Sequence, residues 1–222
     1  MYNYKGTIFA LSTPLGKSAT AMFRISGKKS LKILNKISSL KKWKKNTSQV
    51  NYIKEKNKII DQVITTFYKA PNSYTGEDMV EISCHGSIAV IKKIQKQLST
   101  HGARLAEKGE FTRRALLNDK LDLIQAESLS DLINSETDQQ RNLAIKNFGG
   151  NLSSFLEEIS NNITNLLSKL EALIDFSDED LPNNTIKKIK EQNKNIIKKI
   201  NNSLVKSEMV SPIKNGFIVS VI

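Results

Sequence analysis

The sequence is poor in the residues on which much covalent and metal chemistry depends. Its 222 residues include one cysteine, two histidines, one tryptophan and four prolines. A single cysteine, Cys84, forms no internal disulfide, which fits a reducing compartment. His85 and His101 have no ligand-spaced partners, so we predict no metal site. No apolar run approaches the roughly 20 residues that span a bilayer, and the N-terminus is a poor signal peptide. We therefore expect a cytoplasmic chain with no membrane partner.

Charge is unevenly distributed along the chain. Residues 1–118 carry 18 Lys, 4 Arg and 7 acids, whereas residues 119–222 carry 11 Lys, 1 Arg and 15 acids. The net charge of +12 invites a nucleic-acid partner, but Lys, Asn and Ile enrichment is also what codon bias in an AT-rich genome produces. We interpret the Lys-rich stretch at 38–58 as a solvated loop or edge hairpin first, and as an RNA-contacting patch second. At the joint between the two parts, Arg113, Arg114 and Lys120 form a candidate anion-binding cluster.

The first 118 residues have the pattern of a mixed α/β domain. Short apolar runs bounded by turn residues predict strands, and two amphipathic stripes predict helices. The predicted strands are 6–12, 20–25, 62–70, 78–83 and 103–106, and the predicted helices are 29–37 and 87–98.

After Asn118 the pattern becomes helical, so the predicted fold class is α+β. We predict one long helix from 119 to Gly149-Gly150, a second over 155–173 and a third over 186–204, together forming part of a helix bundle. The final apolar run, 216–222, has the pattern of a buried parallel strand. Because a single strand is not stable alone, we expect the chain to be truncated here.

Few residues qualify for chemistry. Gly16-Lys17-Ser18 resembles the end of a phosphate-binding loop, but Leu11 stands where the first glycine is required, and a strand follows where a helix is needed. Three candidates remain: Arg24 and Glu81 each interrupt an apolar strand, and Lys120 lies at the domain joint. Each alone is compatible with a solvated surface charge. If Arg24 and Glu81 face each other across one sheet, a shared polar pocket results.

Four segments carry a resemblance to a known family. GTIFALSTPLGKSATAMFRISG, APNSYTGEDMVEISCHG, GEFTRRALLNDKLDLIQAESLSDLI and ALIDFSDEDLP are similar, in order and spacing, to the MnmE/TrmE family of tRNA modification GTPases. The resemblance runs from about Gly6 to the end of the chain and is weakest over 29–58. It implies an N-terminal domain like the folate-binding domain of aminomethyltransferases, a helical domain, and a G domain inserted into the latter.

The resemblance also implies domains, ligands and partners. Residues 1–118 correspond to a folate-binding and dimerisation domain, 119–213 to the first half of the helical domain, and 214–222 to the first strand of a truncated G domain. By motif match, the residues that contact 5-formyltetrahydrofolate fall on Arg24, Glu81 and Lys120. The implied partners are a second copy in a homodimer, the flavoprotein MnmG and the tRNA whose wobble uridine is modified.

One activity is expected to be absent from this polypeptide. The GTP, Mg²⁺ and K⁺ sites of the family belong to the G domain, whose phosphate-binding loop would follow residue 222, so we expect no GTP hydrolysis by these 222 residues alone. We expect no catalytic residues within them. Two other functions stay open: a stand-alone folate- or RNA-binding module without catalysis, and a purely structural docking bundle.

Overall fold

The computed structural model describes residues 6–175 and 184–215. Two compact units divide the chain, Met1–Leu121 and Asp122–Ile222. The first is a mixed α/β unit and the second is helical, so the predicted α+β class is confirmed. The predicted strand at 216–222 lies outside the described residues. None of the helices in the described ranges is long and apolar enough to cross a membrane.

A six-stranded sheet forms the framework of the first unit. Its spatial order is β3-β4-β5-β2-β1-β6, with every neighbouring pair antiparallel except the parallel pair of β1 and β6. In chain order the strands are β1 (Ile8–Leu11), β2 (Ser18–Ser26), β3 (Ser48–Glu55), β4 (Lys58–Tyr68), β5 (Met79–Gly86) and β6 (Arg104–Leu105).

Two helices cover one face of this sheet. They are α1 (Ser30–Ile37) and α2 (Ile88–Thr100). Their apolar stripes pack with the inward residues of the strands into one core, whose fully buried members include Phe23, Ile33, Ile82 and Ile94. The Lys-rich stretch 38–58 contains both predicted alternatives: residues 40–44 have no regular structure, and β3 pairs with β4 as a hairpin at the edge of the sheet.

A third helix of this unit, α3 (Glu110–Leu117), has no counterpart among the predicted elements. Gly109 precedes it in the left-handed region, at φ 73°, which glycine adopts without steric cost. The helix ends at Asn118, and Asp119 has φ 53°. The chain therefore turns sharply just before Lys120.

The second unit differs from prediction in its first helices. The single long helix predicted from 119 to Gly149-Gly150 is wrong: α4 (Leu123–Ile133) and α5 (Asp138–Phe148) are separate. The break arises because Thr137 forms a capping box with Gln140, which starts a new helix. The predicted end at the glycine pair is confirmed.

Two long helices complete this unit, α6 (Asn151–Asp175) and α7 (Thr185–Asn215). They pack together through a small core of Ile159, Leu166, Ile189 and Ile196.

Candidate functional site

Arg24 and Glu81 lie side by side near the middle of the sheet. Strands β2 and β5 are neighbours, and their register places Arg24 directly opposite Glu81. The adjacent residues Phe23 and Ile82 point into the core, so the two charged side chains project from the other face, because side chains alternate along a strand. The Arg24 Nε donates a hydrogen bond of 2.7 Å to Glu81 Oε1. The structure thus brings the predicted pair together.

A third side chain fixes the same carboxylate. The hydroxyl of Tyr68, the last residue of β4, donates to Glu81 Oε2 over 3.2 Å. Burial, and then the negative charge of Glu81, raises the pKa of Tyr68, so this phenol stays protonated and acts as a donor. Each oxygen of Glu81 therefore has a donor that fixes its direction, with lone pairs left over for a ligand.

The loop between β4 and β5 provides an aromatic wall. Its Tyr74 ring lies 5.3 Å from the guanidinium carbon of Arg24, within the range of a cation–π contact. The Tyr74 hydroxyl shares a hydrogen bond of 2.9 Å with the hydroxyl of Thr112 on α3. The position of the Tyr74 ring is thus fixed by the hydrogen bond of its hydroxyl and by the contact of its face with Arg24.

Lys120 lies against the same loop. Its backbone N–H donates to the Ala115 carbonyl over 2.9 Å, which closes the turn after α3. Asn118 donates its side-chain amide to the Thr75 carbonyl over 2.7 Å. Gly76, at φ +74°, makes the close approach possible, because a Cβ there would lie 2.9 Å from Asn118 Cβ and 3.2 Å from Lys120 Cγ.

These elements line an open cavity of about 440 Å³. Its size falls within the range of small-molecule sites, and it opens to solvent. All three predicted site residues line it, together with others that sequence reasoning missed. The lining residues are Arg24, Tyr68, Asn72, Ser73, Tyr74, Met79, Glu81 and Lys120.

The prediction that Arg114 belongs to an anion-binding cluster at the joint is wrong. Arg114 is only 4% exposed and is engaged by two carboxylates, Glu77 at 2.9 Å and Glu110 at 3.0 Å. It also donates to the Gly6 carbonyl over 3.0 Å. Its neighbour Arg113 pairs with Glu107 at 2.9 Å. Glu107 and Glu110, which precede their arginine partners by six and four positions, were the sequence signal for internal pairing.

The network around Arg114 supports the pocket. Glu77, which belongs to the loop of Tyr74, also accepts a 2.7 Å hydrogen bond from Ser26 of β2. Glu110 begins α3, whose far end leads to Lys120. Burial alone would raise the pKa of Glu110, but hydrogen bonds from Arg104, the Glu107 N–H and Arg114 outweigh it and hold the pKa at about 2. Arg114, a buried residue of α3, thus links this helix to the loop between β4 and β5.

Cys84 and His85, two potentially reactive residues, do not line this pocket. Cys84 is buried, and burial raises the pKa of its thiol to about 11, which removes the nucleophilic thiolate at neutral pH. His85 is held through Nδ1 by Asp61 at 2.7 Å on the exposed side of β5. Within residues 6–175 and 184–215, no group of three or more His, Cys, Asp or Glu could hold a metal ion.

A larger cavity in the second unit offers less specific chemistry. About 500 Å³ in volume, it lies between α6 and α7 and is lined mostly by side-chain amides and lysines, without a carboxylate or an aromatic ring. An open groove between two long helices accounts for it. The Arg24–Glu81 pocket, which combines opposite charges with two aromatic rings, is the better candidate site.

The structure is that of an α+β protein whose first domain carries an open cavity of ligand size and whose second domain is helical. Residues 7–120 match the family described as GTP-binding protein TrmE N-terminus, and residues 123–218 match the MnmE helical domain. The chain belongs to the MnmE/TrmE family and corresponds to its N-terminal part.

Curated relatives agree with this assignment. The chain is 41% identical over 219 residues to the tRNA modification GTPase MnmE of Rickettsia prowazekii (strain Madrid E), which covers 97% of this chain and 49% of the relative. It is 46% identical over 189 residues to the tRNA modification GTPase MnmE of Fervidobacterium nodosum, covering 82% of this chain and 41% of the relative. The chain therefore spans about half the length of these relatives or less.

Proposed function

We propose that the first domain binds a reduced folate that carries a one-carbon group, represented by 5-formyltetrahydrofolate, in the pocket of Arg24, Glu81 and Lys120. The observation that carries the proposal is the 2.7 Å pair of Arg24 and Glu81 on the wall of a ligand-sized cavity. The carboxylate of Glu81 is fixed by two donors, Arg24 and Tyr68, on the face of the sheet away from the core. It is suited to a ligand that presents further donors.

The chemistry of a folate matches the pocket group by group. The aminopyrimidine edge of a pterin presents adjacent N–H donors, which a carboxylate such as Glu81 accepts in a bidentate manner. The rings of Tyr68 and Tyr74 offer apolar faces for a flat heterocycle. Lys120 supplies a cation for the glutamate tail of the folate.

Family membership supports a wider role for the chain. We propose that this chain is the portion of a tRNA modification GTPase that carries the one-carbon donor and forms a homodimer through its first domain. In this proposal it acts with the flavoprotein MnmG on the wobble uridine of tRNA. Its relatives are named tRNA modification GTPases. We propose GTP hydrolysis only for a whole protein that contains this chain, and not for these 222 residues alone.

Isothermal titration of the 222-residue chain with 5-formyltetrahydrofolate tests the site. We expect saturable binding that is weakened in Arg24→Ala and in Glu81→Ala. A hydrogen bond to a charged group contributes about 1.5–3 kcal/mol, which corresponds to roughly a 10-fold to 100-fold rise in Kd for each variant.

Glu55→Ala is the matched control. It removes a carboxylate of the same domain that pairs with Lys93 near the far end of the edge strand, so its Kd should equal that of the unaltered chain. Unchanged affinity in both Arg24→Ala and Glu81→Ala would remove the proposed site.

A further inference from the structure

The helices that cover the sheet have a solvent surface of one charge sign. Neither α1 nor α2 contains an acidic residue. Every lysine of the two helices is exposed, because the apolar stripes of both helices occupy the inward positions. We call this the lysine surface; its members are Lys32, Lys36, Lys92, Lys93 and Lys96.

The sequence around α1 has the same charge bias. The first 54 residues contain 11 Lys and 1 Arg and no acid. The first acid of the chain, Glu55, is already neutralised by Lys93 at 2.8 Å, and it also accepts a 2.8 Å hydrogen bond from Gln97. The hydrogen bond from Lys93, followed by the positive charge of Lys93 and Lys96, lowers the pKa of Glu55, as expected for a lone acid among cations.

Codon bias does not account for this distribution. The same bias acts on residues 119–222, where 11 Lys are accompanied by 15 acids. Lysine enrichment is therefore common to both parts, whereas the scarcity of acids, 7 in residues 1–118, is confined to the first. A surface kept free of acids over two helices is typical of a polyanion-binding face.

We propose that the lysine surface binds the sugar–phosphate backbone of RNA. Helix α2, with 13 residues, is about 20 Å long, enough to lie along several successive phosphates of one strand. An anionic membrane is disfavoured, because Ile33, Ile91 and Ile94 are buried in the core and leave no apolar stripe to insert.

The contacts are to the backbone and not to the bases. The one tryptophan of the chain, Trp43, is packed against the core, and its indole N–H donates to Asn35 Oδ1 over 2.8 Å. It is thus engaged in the fold and is not a free platform for base stacking. Binding should accordingly be strongly dependent on salt and weakly dependent on sequence.

This surface deepens the proposed function, whose RNA partner it provides with a contact site. It lies on the helix-covered side of the sheet, whereas Arg24 and Glu81 project from the other side. Folate and RNA are therefore bound independently, and each proposal can fail without the other.

The test measures fluorescence anisotropy of a labelled unmodified tRNA transcript with the full chain at several salt concentrations. One variant replaces four members of the lysine surface by glutamine and leaves Lys93 with its Glu55 partner: Lys32→Gln, Lys36→Gln, Lys92→Gln and Lys96→Gln. The control variant removes the same total charge from exposed positions of α7: Lys187→Gln, Lys188→Gln, Lys190→Gln and Lys194→Gln.

We expect the lysine-surface variant to lose roughly 100-fold in affinity at 0.1 M salt and to lower the slope of log K against log salt by about 3, while the control changes little. Equal losses in both variants would reduce the effect to net charge and overturn the proposal. So would the absence of RNA binding, or lysine-dependent binding to phosphatidylserine vesicles in place of tRNA. Titration of both variants with 5-formyltetrahydrofolate separates the two proposals, since folate affinity should be unchanged in each.

Discussion

Replacement of Arg114 by methionine tests how the pocket is built. Methionine is shorter than arginine and has neither charge nor donors, so the substitution removes three polar contacts while most of the apolar stem of the side chain is kept. Arg114 is 4% exposed and donates to the Gly6 carbonyl, to Glu77 and to Glu110 at 2.9–3.0 Å. Glu110, itself 1% exposed, keeps its bidentate partner Arg104 at 2.6 and 3.0 Å.

The magnitude follows from these contacts. Removal of one partner from a buried ion pair costs about 3–5 kcal/mol. We expect the lower end, about 3 kcal/mol, because Glu110 retains Arg104 and Glu77 is 30% exposed and can be hydrated. For a domain of about 120 residues, each kcal/mol corresponds to roughly 4 °C, so the Tm of the first domain should fall by about 12 °C.

Differential scanning calorimetry of the 222-residue chain measures this change. Arg113→Met is the matched control, since it alters the adjacent arginine, which is 35% exposed and pairs with Glu107, itself 46% exposed. An exposed pair of this kind contributes at most about 1 kcal/mol. A Tm for Arg114→Met within 3 °C of the control would refute the reasoning that the pocket loop and α3 depend on this buried contact.

Three further predictions concern single groups. The pKa of Glu110 lies at about 2 in the folded protein, against an ordinary value of 4.5. The ionised carboxylate therefore contributes roughly 3 kcal/mol to the free energy of unfolding above pH 4.5, and this contribution is lost as the pH falls towards 2. Acid unfolding curves should show this loss, and Glu110→Gln should abolish it. Tyr68→Phe should leave the Tm within a few degrees and raise the folate Kd by roughly 3-fold to 10-fold, because the hydroxyl only fixes Glu81; an unchanged Kd by calorimetric titration would contradict this. Cys84, whose pKa is raised to about 11 by burial, should react with a thiol reagent at pH 8 only after denaturation, and rapid labelling of the native chain would contradict its buried position.

The central pair of the pocket could be predicted because strand geometry leaves little choice. Glu81 lies between two apolar residues of one strand, and Arg24 lies between two of another, so alternation alone places each on the face away from the core. The β2–β5 register then brings them together. Only the pairing of these two strands had to be assumed.

Other parts of the site depend on contacts that are distant in sequence. Tyr68 and Tyr74 gain their roles only when the β4–β5 loop folds against β2 and α3. One partner of Arg114, Glu110, is four residues away, but the other, Glu77, is 37 residues away and could not be inferred from the sequence. The separation of α4 from α5 depends on a local capping box at Thr137, a signal that the continuous apolar pattern concealed.

The most direct test of the folate proposal is a ¹⁹F NMR titration of the chain labelled with 3-fluorotyrosine. The chain has five tyrosines, which single Tyr→Phe variants assign. Tyr68 and Tyr74 line the pocket, whereas Tyr52 lies on the edge strand opposite Gln62, about 20 Å along β4 from Tyr68. Addition of 5-formyltetrahydrofolate should shift the signals of Tyr68 and Tyr74 and leave that of Tyr52 in place. Shifts at Tyr52 alone, or no shift at any tyrosine under saturating ligand, would contradict the account.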